Sequence, residues 1–126
     1  MKLLTLAFEI AILLSSNFGF CVNTDTAKET FESAVRSLNA GNYSQAEGGF
    51  RAVLKLDPRN VSALANLGVL YAKTRRYTEA IEEYKKVLNI APLQRETQLN
   101  LGLAYLKQED YTRAVPYFKQ IGRAHV

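Results

Sequence analysis

A spacing of 34 residues runs through this chain. It separates Pro58 from Pro92 and carries Tyr43 to Tyr77 to Tyr111. Ala46, Ala80 and Ala114 follow it, as do Phe50, Tyr84 and Phe118. Helix-forming sequence repeated at a fixed period builds a solenoid, because each unit buries its apolar face only against its neighbours. Such a fold offers partners an extended concave surface and rarely carries chemistry itself.

Each period resolves into two helices and two turns. Thr26 and Glu29 have capping-box spacing, so a helix is expected from about Ala27 to Leu38, after a polar linker that ends at Thr26. Gly41 supplies the left-handed conformation that ends a helix. Ser44 and Glu47 form a second capping box, and the helix they open runs to about Leu56. Asp57-Pro58 stops it, since proline disfavours a helical residue before it. The same unit is then written again, with helices from Val61 to Lys73 and from Thr78 to Ile90 and a stop at Pro92. A third copy has a helix from Arg95 to Lys107, a turn at Gln108 to Asp110 and a helix from about Thr112. Pro116 falls early in that last helix, where a missing N–H costs little.

Leu64, Leu67, Gly68 and Tyr71 recur at i, i+3, i+4 and i+7, which is one face of a helix. Gly68 has no side chain, so the partner helix can approach closely there; Ala34 and Gly102 stand at the same place in the other copies. On the second helix Ala80, Tyr84 and Val87 make the matching face, with Ala80 as the other small residue at the crossing.

The second copy, through Leu64, Leu67, Gly68, Tyr71, Ala80, Tyr84, Val87 and Pro92, resembles the tetratricopeptide repeat at every signature position. The third matches through Leu101, Gly102, Tyr105, Ala114 and Phe118. The first is weaker, with Ser33 and Ser37 in place of the usual Leu and Tyr, but its second helix matches through Ala46, Phe50, Val53 and Pro58. The resemblance implies an all-α, right-handed α-solenoid of antiparallel helix pairs, with repeats over 27–60, 61–94 and, incomplete, 95–120.

It further implies a groove lined by the first helix of each pair, where the family binds peptides or partner helices. Mapped here, the groove takes Phe31, Val35 and Leu38 from the first repeat, with Lys28 and Asn39 at its edges. From the second it takes Ala65, Asn66, Val69 and Lys73, with Ser62 and Ala72. From the third it takes Leu99, Asn100, Leu103 and Lys107, with Glu96 and Leu106. Asn66 and Asn100 repeat at the same spacing, and a carboxamide can bond a peptide backbone as donor and acceptor or bond a neighbouring helix. One subgroup of the family clamps C-terminal carboxylates with paired cationic and amide side chains in its first and third repeats. Phe31, Val35 and Glu96 occupy those places here, so that clamp is not expected. A mostly apolar groove suits an apolar or amphipathic protein segment.

Other classes find little support. The net charge is +4 and the basic residues are interleaved with Glu. Lys73, Arg75 and Arg76 share one turn, which is short of the sustained basic stripe that nucleic acid requires. Cys21 is the lone cysteine and His125 the lone histidine, so no disulfide, thiolate metal cluster or Ser/His/Asp set can be assembled. No catalysis, metal or cofactor is expected. Asn42-Tyr43-Ser44 and Asn60-Val61-Ser62 fit the glycosylation sequon, which matters only in a eukaryotic secreted protein.

The two ends differ from the repeats. Lys2, the apolar run Leu3 to Leu14 and the polar exit after it read as a signal peptide or signal anchor over 1–21, followed by a linker over 22–26. Glu9 lies inside the apolar run, and Gly19-Phe20-Cys21 is the best cleavage signal, cutting before Val22. Uncleaved, the segment is long enough to span a bilayer, which is the membrane contact expected of this chain. Export to a periplasm, envelope or medium is the leading expectation, with a cytoplasmic or membrane-anchored protein as the alternative. Gly122 is expected to break the last helix, and Ile121 to Val126 match the translation of a widely used sequencing adapter. Native sequence is therefore expected to end near Gln120, with 121–126 a non-native tail. Two functions remain open: a non-enzymatic binding module, or the N-terminal part of a larger protein with a downstream enzymatic or membrane-assembly domain.

Overall fold

The computed structural model describes residues 24–123, and the expected leader, Cys21 and His125 lie outside them. Among the described residues there are six helices and no strand. They are α1 (24–39), α2 (Tyr43–Leu56), α3 (Val61–Lys73), α4 (Tyr77–Ile90), α5 (Arg95–Lys107) and α6 (Tyr111–Arg123). Consecutive helices from α2 to α6 pack against one another, and α3 also approaches α5, whereas the backbones of α2 and α4 stay apart. First helices thus line up on one side and second helices splay apart on the other, as in an all-α solenoid.

The turn inside each pair is built identically. Gly41, Arg75 and Glu109 stand 34 residues apart and all take positive φ, at 80°, 63° and 60°. In each, the following N–H reaches back five residues: Asn42 to Ser37, Arg76 to Tyr71 and Asp110 to Tyr105, at 2.8, 2.8 and 2.9 Å. The left-handed residue bonds three back, Gly41 to Leu38, Arg75 to Ala72 and Glu109 to Leu106. This is the Schellman end of a helix, and only the first copy uses the residue that adopts it without strain. Arg75→Gly and Glu109→Gly should therefore each stabilise the fold by roughly 0.5–1 kcal/mol, while Gly41→Ala should destabilise it by a similar amount. Urea titration checks this, and a loss of stability in both glycine variants would contradict it.

The core follows the repeat. Ala46, Ala80 and Ala114 are fully buried at the crossings, and Phe50 and Tyr84 fill the space beside the first two. A Cβ built on Gly68 would stand 2.5 Å from the Tyr84 ring, so the close approach read from the sequence is made against Tyr84. The first pair solves the same problem differently: Ala34 has a Cβ, and Gly49 across from it has none, since one there would come within 2.6 Å.

Several local readings need correction. Residues 24–26 are helical, where a polar linker was expected. The Ser44–Glu47 capping box does not form as read. Asn42 caps α2 without a side-chain bond, Ser44 lies inside the helix, and Glu47 turns to other partners. Gly122 does not break α6, which runs to Arg123. A glycine in a last turn costs only about 1 kcal/mol of helix propensity, too little to end a helix alone. Gln98, in the position of Leu64, is buried like it, and donates to the Pro92 carbonyl at 2.7 Å.

Candidate functional site

Three cavities follow one another across the face that α1, α3 and α5 share. The first, about 370 Å³, lies among Thr24, Lys28, Phe31, Val53 and Ser62. Phe31 and Ser62 also line the second, about 400 Å³, together with Val35, Ala65, Asn66, Val69, Glu96 and Asn100. Val69 and Asn100 pass on to the third, about 290 Å³, which adds Lys73, Tyr77, Leu103 and Lys107. The shared residues make one continuous groove. It has an apolar middle, Glu96 near the start of α5, and Lys73 and Lys107 at the last turns of α3 and α5.

Most residues picked from the sequence meet here: Phe31, Val35, Ala65, Asn66, Val69, Lys73, Asn100, Leu103 and Lys107. Two do not. Leu38 is 5% exposed and belongs to the core, because its helix turns it toward α2 and the rest of the packed cluster. Leu99 lines none of the three cavities and is 40% exposed. Ala65, at the same place in the preceding repeat, is half-buried. Asn66 donates to the Ser62 carbonyl of its own helix at 2.8 Å, not to a neighbouring helix, and its carboxamide oxygen remains open to a ligand. Asn100 has no hydrogen-bonded side-chain partner among the described residues. Tyr77, at the start of α4, and Gln94, in the turn before α5, also line the groove; the recurring tyrosine was visible in the sequence, its direction was not.

Behind the groove, Glu47 ties the first two repeats together. Its Oε1 accepts from Arg51 at 2.8 Å and from the Tyr71 hydroxyl at 3.0 Å, and its Oε2 accepts from Arg76 at 2.8 Å. Arg76 lies over the Tyr71 ring, 4.2 Å from its centre, and also pairs with Glu79. One repeat later Arg113 lies over Tyr105 at 4.8 Å and pairs with Asp110. Arg76 and Asp110 are equivalent positions, as are Glu79 and Arg113, so the pair is reversed in sign yet keeps a cation on the tyrosine.

Burial pushes the Glu47 carboxyl up, but hydrogen bonds from Arg76, Arg51 and Tyr71 outweigh it and hold the group below its ordinary value of 4.5. The folded state therefore binds that proton less readily than the unfolded chain. Its contribution to stability is present above about pH 4.5 and is lost as acid carries the pH through the lower folded value. Melting temperature should fall between about pH 5 and pH 3, and Glu47→Gln should flatten that fall while costing about 1–2 kcal/mol at neutral pH. Equal acid slopes in the two proteins would contradict this assignment.

A family model of the tetratricopeptide repeat matches residues 31–95, and a second matches residues 99–123. The chain belongs to the tetratricopeptide repeat family. Its fold is similar to solved structures of MamA. One is 25% identical, with a TM-score of 0.71 over 74% of this chain and 51% of that one. A MamA RS-1 double mutant is 26% identical, with a TM-score of 0.70 over 74% and 52%. A MamA AMB-1 structure, 22% identical, superposes with a TM-score of 0.72 over 77% and 53%, which speaks for the fold alone. The chain spans about half the length of these MamA structures. No curated protein matches it by sequence. The tetratricopeptide repeats give the chain the fold of a protein-interaction scaffold.

No group of three or more metal-ligating side chains occurs among the described residues. Among them, too, no helix is long and apolar enough to cross a membrane.

Proposed function

We propose that the groove across α1, α3 and α5 binds an apolar or amphipathic segment of a partner protein, docked as a helix or an extended strand of peptide. The observation that carries this reading is the continuity of the three cavities through Phe31, Ser62, Val69 and Asn100. Their apolar middle would desolvate a stripe of large side chains, and the open carboxamides of Asn66 and Asn100 would take up backbone or side-chain polar groups. Lys28 lines one outer cavity and Lys73 and Lys107 the other, which favours acidic groups at the ends of a bound segment, while Glu96 in the middle cavity favours a basic or N–H group there. Phe31, Val35 and Glu96 stand where the clamp for C-terminal carboxylates would need polar and cationic side chains, which favours an internal segment as the partner.

The apolar run before residue 24 supports placement outside the cytoplasm, by export or by an uncleaved anchor. Scaffold action would then take place in a periplasm, envelope or medium. The alternative is an N-terminal binding part joined to a downstream enzymatic or membrane-assembly domain.

The test is a double substitution, Asn66→Asp with Val69→Lys, at two half-buried positions on the groove. Partner capture by the full chain should fall at least about tenfold, since a charge would be forced against an apolar segment. The circular dichroism melt should stay close to that of the parent. Full capture by the folded variant would overturn the groove assignment.

A further inference from the structure

We infer that the chain carries a second binding site, on the face opposite the groove, for an acidic protein segment that presents a large apolar side chain. α3 packs on both α2 and α4, whose backbones stay apart, and a cavity of about 520 Å³ lies beside α3, lined from both of them. It is larger than any of the three that make up the groove. Leu54, Pro58, Leu64 and Leu67 give it an apolar lining. Arg51, Lys55, Lys86 and Glu83 give it a charged one.

Glu83 is the residue that the fold does not account for. It is 8% exposed. Lys86 donates to its Oε1 at 2.7 Å, but its Oε2 is buried and has no hydrogen-bond partner. A buried carboxylate oxygen left unpaired is destabilising. The repeat does not demand an acid there, because Gly49 and Tyr117 occupy the equivalent positions 34 residues to either side. A ligand that brings an N–H or O–H donor into the cavity would relieve that cost.

Charge identifies the ligand. Arg51 is engaged with Glu47 and Tyr71, and Lys86 with Glu83, yet their side chains are 59% and 56% exposed. Lys55 is exposed and has no ionic partner among the described residues. Three cations against one carboxylate favour an acidic segment, the leucines favour an apolar anchor on it, and Glu83 favours a backbone N–H beside that anchor. The site lies across α3 from the groove and shares no lining residue with it, so it stands or falls independently of the groove reading.

Two hexapeptides test the proposal on the full chain by amide chemical-shift titration: Asp-Glu-Leu-Leu-Asp-Glu and its basic counterpart Lys-Arg-Leu-Leu-Lys-Arg. The acidic peptide should shift the amides of Leu54, Leu64 and Leu67 more than those of Val69 and Leu103. The basic peptide should leave all five in place. Lys55→Glu should weaken the acidic peptide by about fivefold to tenfold. Glu83→Leu should raise the melting temperature and yet weaken the peptide, a combination that a purely structural Glu83 does not predict. Should Glu83→Leu fail to fold, Lys55→Glu, on an exposed side chain, carries the test alone. Shifts confined to Val69 and Leu103, no shifts at millimolar peptide, equal binding of the basic peptide, or unchanged affinity in folded Lys55→Glu or Glu83→Leu would each overturn it.

Discussion

Tyr84→Ala is expected to lower the melting temperature by more than about 12 °C, the largest effect of any single truncation in this array. Tyr84 is 2% exposed, and its ring fills the space that Gly68 leaves open. Removing it deletes an aromatic ring from the crossing of α3 and α4, where α5 also packs. Buried aromatic truncations cost about 3–5 kcal/mol, a large share of the 5–15 kcal/mol that holds a typical domain. Because a solenoid's stability is a sum of repeat and interface terms, weakening its middle unit also uncouples the outer two.

Tyr84 adds an alkaline signature to that loss. Burial, and secondarily the negative charge of Glu96, push its hydroxyl from 10.0 up to about 12. A raised folded value means that the stabilisation is intact below about pH 10 and is lost as pH rises through about 12. Tyr84→Phe keeps the ring and cannot ionise, so it should flatten the stability decline above pH 10 while melting near the parent temperature at pH 7. A Tyr84→Ala protein that melts within a few degrees of the parent would refute the packing account. An unchanged alkaline slope in Tyr84→Phe would refute the burial account.

The second large effect separates two leucines that the sequence placed on one groove. Leu38→Ala should cost about 2–5 kcal/mol, since its side chain is 5% exposed and lies in the core cluster. Leu99→Ala should stay within about 0.5 kcal/mol of the parent, since its side chain is 40% exposed and lines none of the groove cavities. Urea midpoints measured side by side settle both. Comparable losses in the two variants would mean that Leu99 is covered in solution by something the described residues do not supply.

Periodicity made the architecture legible before any coordinates. Every helix from α2 to α6 starts within two residues of its expected position, because Asp57-Pro58, Pro92 and the recurring turns punctuate the chain at fixed intervals. The groove was legible for the same reason, since residues 34 apart on first helices must share a face. Individual directions were less so. Leu38 sits at the end of a packed helix, where a small rotation carries a side chain from rim to core. The Glu47 cluster was hidden because it obeys no period: Glu47 is matched by Ile81 and Val115, and the Arg76–Glu79 pair returns as Asp110–Arg113 with its signs exchanged. Local capping rules misled for a related reason. Ser44 and Glu47 have the spacing of a capping box, but Arg51, Tyr71 and Arg76 supply the carboxylate with stronger, charge-assisted partners.

Site-specific photo-crosslinking measures the central claim, that the face of α1, α3 and α5 is where partners dock. A benzophenone side chain at Val69, in the groove, and another at Glu82, on the exposed side of α4, would be placed one at a time in the full chain in the cells that make it. A discrete crosslinked protein is predicted from Val69, lost when Asn100→Asp is added, and absent from Glu82. Crosslinks to that same protein from Glu82 and none from Val69 would contradict the account.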